Sequence, residues 1–297
     1  MFGECHAHIF MNGYDYKKAV KDHKYAPDEK LIREHLQAYQ KQGVTYVRDG
    51  GDIYGASSVA KQIAGEYGIE YRTPVFAIHK NGYYGGIVGY GFDTIQEYAQ
   101  LVKRAKEEHA DFIKIMTTGI MDFNEAGVIT GEALTCHEVK EMVHIAHEEG
   151  MAVMSHTNGT RAVREALEAG VDSIEHGNYT DEETIRMMAD TKTVWVPTAV
   201  TIGNLIGSRR FPDSVVEQIL DMAKARIADA FTYDANIGLG SDAGAFCVAH
   251  GQGIVDEYRL FLDVVGDKDK VDQRILRSEQ MIKDVFANPE EKKYTLL

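Results

Sequence analysis

Six residues stand out as able to do chemistry together: His6, His8, Lys114, His156, His176 and Asp242. Neutral imidazole is the commonest protein ligand for transition metals. His6-Ala7-His8 lies in an apolar run, and alternate residues on a strand share a face, so both rings point the same way. His156 ends Val-Met-Ser-His, His176 ends Ser-Ile-Glu-His, and Asp242 sits in Gly-Leu-Gly-Ser-Asp-Ala-Gly. Singly, each has a plainer reading: a hydrogen-bonded histidine at a strand end, or an aspartate in a glycine-flanked turn. Lys114, in Asp-Phe-Ile-Lys-Ile-Met, changes the sum. An ammonium is almost never fully buried without a partner. Desolvation and nearby cations lower its pKa, and the neutral amine can then capture CO2. The carbamate so formed is an anionic ligand with one oxygen for each of two metal ions. A lysine that snorkels out at the strand end, or pairs with a carboxylate, is the plainer alternative.

Residues so far apart in sequence need a scaffold that gathers them. Short apolar, β-branched runs at 2–9, 44–49, 71–78, 112–116, 152–156, 173–176, 194–198 and 237–241 read as strands. Amphipathic patterns at 28–42, 57–67, 94–108, 136–149, 159–169, 181–189 and 212–235 read as helices between them, with a last helical stretch from about 253 to 286. Thr94, Thr135 and Asp181 suit N-caps, and Gly43, Gly68, Gly150 and Gly170 follow helix ends. The alternation predicts an α/β fold, a (β/α)8 TIM barrel. We expect a single domain over 1–297 with a C-terminal helical extension from about 253. A doubly wound sheet would want a glycine-rich turn after the first strand, and none is there. The six residues fall at the ends of strands one, four, five, six and eight, and a barrel brings those ends together. The Gly- and Tyr-rich segment 81–92 follows the third strand and reads as a lid over that mouth or as an ordinary surface loop.

Composition narrows the partners. With 44% hydrophobic residues there is material for a large core, and a formal net charge of −14 disfavours nucleic acid and anionic membranes. Cys5, Cys136 and Cys247 are odd in number and widely spaced, as for free thiols in a reducing compartment. No cleavable leader and no membrane-spanning run is visible, so the expectation is a cytoplasmic protein acting on a small-molecule substrate.

The segments Cys-His-Ala-His, Val-Arg-Asp-Gly-Gly, Ile-Lys-Ile, Ser-His-Thr-Asn-Gly, Gly-Val-Asp-Ser-Ile-Glu-His-Gly, Val-Pro-Thr and Gly-Ser-Asp-Ala-Gly carry a resemblance. Together they resemble the amidohydrolase superfamily of metal-dependent hydrolases, in its imidazolonepropionase-like and prolidase-like branch. The resemblance implies that His6, His8 and Asp242 hold the more buried of two divalent metals and His156 and His176 the more exposed one. Lys114, carboxylated by CO2, would bridge them, and zinc is the metal that suits the set best. It further implies hydrolysis of an amide or related C–N bond (a dipeptide, N-acyl amino acid or cyclic amide). A hydroxide held between the metals would attack, with Asp242 as general base and then acid. The superfamily's usual flanking β-sandwich finds no room in this sequence, and homo-oligomers are common among such barrels. Three rivals stay open: a lactonase or phosphotriester hydrolase on the same centre, a mononuclear deaminase, and a metal-binding scaffold without catalysis.

Substrate contacts are open to several residues. Arg48 could clamp a substrate carboxylate or pair with Asp49 or another barrel acid. His79, Tyr83 and Tyr84 follow the third strand and could polarise a carbonyl or close over substrate, and Asn158 could hydrogen-bond it. Glu175 alternates with His176, which predicts that it faces the helices.

Overall fold

A computed structural model describes residues 2–288; Met1 and 289–297, which the single-domain expectation includes, lie outside the described residues. The strands are β1 (Glu4–Ala7), β2 (Tyr46–Asp49), β3 (Glu70–Arg72), β4 (Ala77–Lys80), β5 (Gly89–Phe92), β6 (Ile113–Met116), β7 (Val153–Thr157), β8 (Ser173–His176) and β9 (Val194–Val196). The helices are α1 (Tyr16–His23), α2 (Glu29–Lys41), α3 (Ala56–Ile63), α4 (Ile95–Glu107), α5 (Cys136–Glu148), α6 (Thr160–Ala169), α7 (Glu182–Ala189), α8 (Val200–Gly203), α9 (Asp213–Thr232), α10 (Gln252–Val265) and α11 (Lys268–Val285).

All pairings between strands are parallel, in the orders β1-β2-β3 and β5-β4-β6-β7-β8-β9. Most strand residues are buried, as in sheets covered on both faces. The third stave is one predicted run broken in two. Pro74 has no N–H to give a ladder, Val75 turns left-handed at φ 65°, and β3 and β4 resume on either side. The eighth stave, residues 236–243, is held by single contacts rather than a ladder. Ile237 bridges Trp195 and Ala243 bridges Ala7. The Cys5 amide donates to Leu239 O at 2.9 Å, and the Asp242 amide donates to His6 O at 2.7 Å. This seam completes the (β/α)8 barrel.

Helix limits follow local chemistry. Thr94 and Thr135 close capping boxes with Glu97 and Glu138, as their spacing predicts. The last helical stretch is in fact two helices, because Gly266 (φ 70°) ends α10 and Asp267 caps α11. Residues of α11 and beyond, Ile282 and Phe286, pack with Cys5, Tyr46, Phe112, Ala152 and Val194. These partners lie at strand starts, so α11 closes the end of the barrel opposite the six candidate residues. At the other end, residues 117–134 form a turned-back loop with Met121 bridging Ile129. Part of the Gly- and Tyr-rich segment 81–92, read as a lid or a surface loop, is regular: its last four residues are β5, paired to β4. The sequence pattern also did not disclose α1 or α8. Among the described residues no helix is long and apolar enough to cross a membrane.

Gly240 makes the seam possible. A Cβ there would stand 2.5 Å from Val196 Cγ1 and 2.9 Å from the His6 amide nitrogen. Gly240→Ala should therefore destabilise the fold by about 1–3 kcal/mol through overpacking, seen as a lower urea midpoint of the metal-free protein; an unchanged midpoint would show the seam to be slack.

Candidate metal centre

The C-terminal ends of the strands converge. His6 is on β1 and His8 just past it, Lys114 is on β6, His156 on β7, His176 closes β8, and Asp242 lies at the end of the eighth stave. His6 Nε2 and His8 Nε2 lie 3.6 Å and 3.7 Å from Asp242 Oδ1. One ligand atom from each of these three residues falls within 4.8 Å of the other two. The His6 and His176 rings are 5.0 Å apart, and those of His156 and His176 4.6 Å.

Each imidazole is held by one nitrogen. Glu175 Oε2 accepts from His6 Nδ1 at 2.6 Å, and Thr198 Oγ1 lies 2.7 Å from His176 Nδ1. Gly119 O accepts from His156 Nε2 at 3.1 Å, and Gly51 O lies 3.4 Å from His8 Nδ1. A carboxylate or carbonyl acceptor fixes the tautomer of His6, His8 and His156 and leaves the other nitrogen's lone pair free, while the Thr198 hydroxyl orients the His176 ring; outer partners hold metal-binding histidines in this way. Burial, more than any charge, keeps the rings neutral: it brings His8 and His156 down to about 3 and holds His6 and His176 well below the usual histidine range. The Lys114 charge pushes all four the same way.

Lys114 is 1% exposed. Burial lowers its ammonium to about 8, against the pull of Glu175 and Asp242. Burial raises Asp242 to about 7, against the pull of Lys114. Three buried polar atoms here have no hydrogen-bond partner: His6 Nε2, Lys114 Nζ and Asp242 Oδ1. Such orphans are rare in folded proteins and call for a missing partner. The His6 and His8 nitrogens converging on a carboxylate oxygen of Asp242 are a donor set that a divalent cation fits.

Other expectations need correction. Arg48 is fully buried and spent: Nε donates to Cys5 O at 2.7 Å, Nη1 to Ser173 Oγ and Nη2 to Glu175 Oε1, each at 2.9 Å. It pairs with a barrel acid and is not placed to clamp substrate. Glu175 does not face the helices; it links Arg48 to His6. Strand parity failed because His176 leaves the β region at φ 67°, so it and Glu175 both serve the same chamber. Asn158 is 2% exposed and braces loops: its Nδ2 donates to Gly119 O, and its Oδ1 accepts from the Asn178 amide and side chain. His79 Nδ1 is 2.9 Å from Lys80 O, and Tyr83 donates to Glu132 at 3.1 Å. Tyr84 does reach the site, its ring 5.0 Å from that of His156. Sequence reasoning missed Glu175 and Thr198. Ser173-Ile-Glu175 on one strand face, with an arginine needing a counter-charge, was the signal for the first; the second ends the Val-Pro-Thr segment, which by itself assigns it no role.

Glu175→Gln would leave the Arg48 guanidinium buried beside a neutral amide. Its unfolding free energy should fall by about 3–5 kcal/mol, read from denaturant melts of the metal-free protein; a loss below 1 kcal/mol would mean Arg48 finds another counter-charge.

The sequence pattern of the amidohydrolase family matches residues 4–269. An ochratoxinase from Aspergillus niger is 24% identical over 242 residues, 69% of this chain and 48% of its own length, so the chain spans about half the length of that curated relative. A Xaa-Pro dipeptidase structure with methionine bound in its active site superposes with a TM-score of 0.77 at 21% identity, covering 95% of this chain and 75% of that one. The Aspergillus niger ochratoxinase structure superposes with a TM-score of 0.73 at 19% identity, covering 91% and 68%. With a match that runs through nearly every stave of the barrel and both ends of the candidate centre, the chain belongs to the amidohydrolase family.

Proposed function

We propose that this chain hydrolyses an amide or related C–N bond at a centre of two divalent metal ions, zinc by the softness of the donors. His6, His8 and Asp242 would hold one ion and His156 and His176 the other, with Lys114 between them as a carbamate. The observation that carries the reading is the set of buried orphan atoms, His6 Nε2, Lys114 Nζ and Asp242 Oδ1, among imidazoles already fixed at their other nitrogen. The Xaa-Pro dipeptidase among the structural neighbours supports an amide as the bond cleaved.

Such ions, when bound, polarise a carbonyl and bring the pKa of water from 15.7 toward about 7. The chain's own residues supply the proton handling and the positioning. Asp242, held beside His6 and His8, would take a proton and return it to a leaving amine. Its backbone is fixed by the hydrogen bond that its amide donates to His6 O, so the carboxylate stays beside His6 and His8. Lys114, lowered to about 8, offers neutral amine for CO2 without a strongly alkaline medium. Arg48 and Glu175 keep His6 in the tautomer that turns Nε2 to the chamber. Tyr84, beside His156, would flank a substrate entering from the mouth.

A second reading has its own support. Only His6, His8 and Asp242 form a compact ligand group among the described residues, which is what a mononuclear centre needs. Metal content decides between them: two ions per chain after growth with zinc support the binuclear reading, one the mononuclear. The same protein, assayed on dipeptides, N-acyl amino acids, cyclic amides and lactones, should cleave the C–N substrates. Lys114→Ala should bind at most one ion and lose about 10³-fold or more in kcat/KM; full metal content and activity in that variant would sink the carbamate role.

A further inference from the structure

Outside the ligand cluster, a buried carboxylate stands out. Glu257 lies on α10, far in sequence from every strand, and is fully buried. Its Oε1 accepts the Ala199 amide at 2.9 Å and its Oε2 the Val200 amide at 2.6 Å. These are the first amides of α8, and neither Ala199 nor another local side chain caps them. Glu257 thus caps α8 from another helix. Burial pushes the Glu257 carboxyl up to about 8, against the opposite pull of the two amide donors, so what the carboxyl supplies to α8 is a pair of well-placed acceptor oxygens.

What the clamp holds in place is the residue before those amides. Thr198 has φ 51°, a left-handed conformation that is a genuine outlier for a β-branched residue. Strain of this kind costs about 1–3 kcal/mol and persists only where its surroundings enforce it. In that conformation Thr198 Oγ1 sits 2.7 Å from His176 Nδ1. From the other side, the Trp195 indole donates to His176 O at 2.8 Å. The ring of His176 is therefore oriented by a hydroxyl whose own position depends on the two amides that Glu257 grips.

We propose that Glu257 is a positioning residue for His176, acting through Thr198 to set which way Nε2 points; this rests on the reading of His176 as a metal ligand. It assigns a role in the centre to a residue of the C-terminal helical region.

The test is a metal titration of the full chain. Metal-free protein is titrated with Zn2+ against a chromophoric chelator, and the constant lost in His176→Ala identifies the site that His176 serves. Glu257→Gln, which turns an NH2 against one of the two amides, should weaken that constant about tenfold or more and leave the other unchanged. Glu257→Asp, too short to reach both amides, should do the same and serves if the glutamine variant does not fold. Thr198→Val should match the loss, and Thr198→Ser, which keeps the hydroxyl, should restore tight binding. In the Glu257→Gln, Thr198→Val double variant the loss should not exceed that of the worse single change, since both act on one element. Equal weakening of both constants, additive losses, or no loss at all would overturn the proposal. An unaltered chain that binds no Zn2+ would sink the metal-centre reading, and the proposal with it.

Discussion

Lys114 is held out of water with no hydrogen-bond partner on its amine, and the chamber around it answers to that fact. An isolated buried ammonium is expensive, and proteins escape the cost by neutralising the group or pairing it. Here burial moves the lysine toward neutrality, while Asp242 is pushed up by the same burial until the two lie within reach of each other's titration. The four histidines, facing the same charge in the same dry space, are kept neutral. Neutral imidazole is the form with a lone pair to give, so the burial that destabilises the lysine also prepares the rings as ligands.

Backbone strain does part of the positioning. His176, Thr198 and Asp242 all have positive φ, at 67°, 51° and 56°, and each follows or ends a stave. A strand can present a side chain only up or down; a left-handed residue at its end aims the chain in a third direction. Strained residues of this kind gather where function over-determines them. The enforcing contacts are visible: the Asp242 amide to His6 O, the Trp195 indole to His176 O, and the Glu257 clamp beside Thr198.

That same strain marks the limit of what the sequence disclosed. Period-two patterning and strand-end histidines were enough to order the staves and to bring residues 6, 8, 114, 156, 176 and 242 to one end of the barrel. Parity is a property of regular strands, so it misplaced Glu175, whose neighbour His176 had already left the β region. The break at Pro74 in the third stave and the single bridges of the eighth are invisible to pattern reading, because neither feature disturbs hydrophobic periodicity. Arg48 stays open between two roles in the sequence, because a charged residue at a strand end is as consistent with a ligand clamp as with a buried pair. Only its three-dimensional surroundings, Cys5 O, Ser173 and Glu175, decide between them.

Arg48 also settles how charge is distributed in the chamber. Its guanidinium meets Glu175 at 2.9 Å with both side chains fully buried, so that carboxylate is already matched before Lys114 is considered. Even so matched, Glu175 remains the first charge that pulls Lys114 toward its ammonium form, ahead of Asp242, while Arg48 pushes the other way. A buried arginine keeps its charge under all ordinary conditions, whereas a buried lysine readily shifts toward the neutral amine. The placement of the two cations is therefore not interchangeable. The permanent charge sits toward the closed end of the barrel, stacked 4.3 Å from the Phe286 ring, and fixes Glu175 and through it His6. The adjustable one sits among the imidazoles, where a neutral amine can be used.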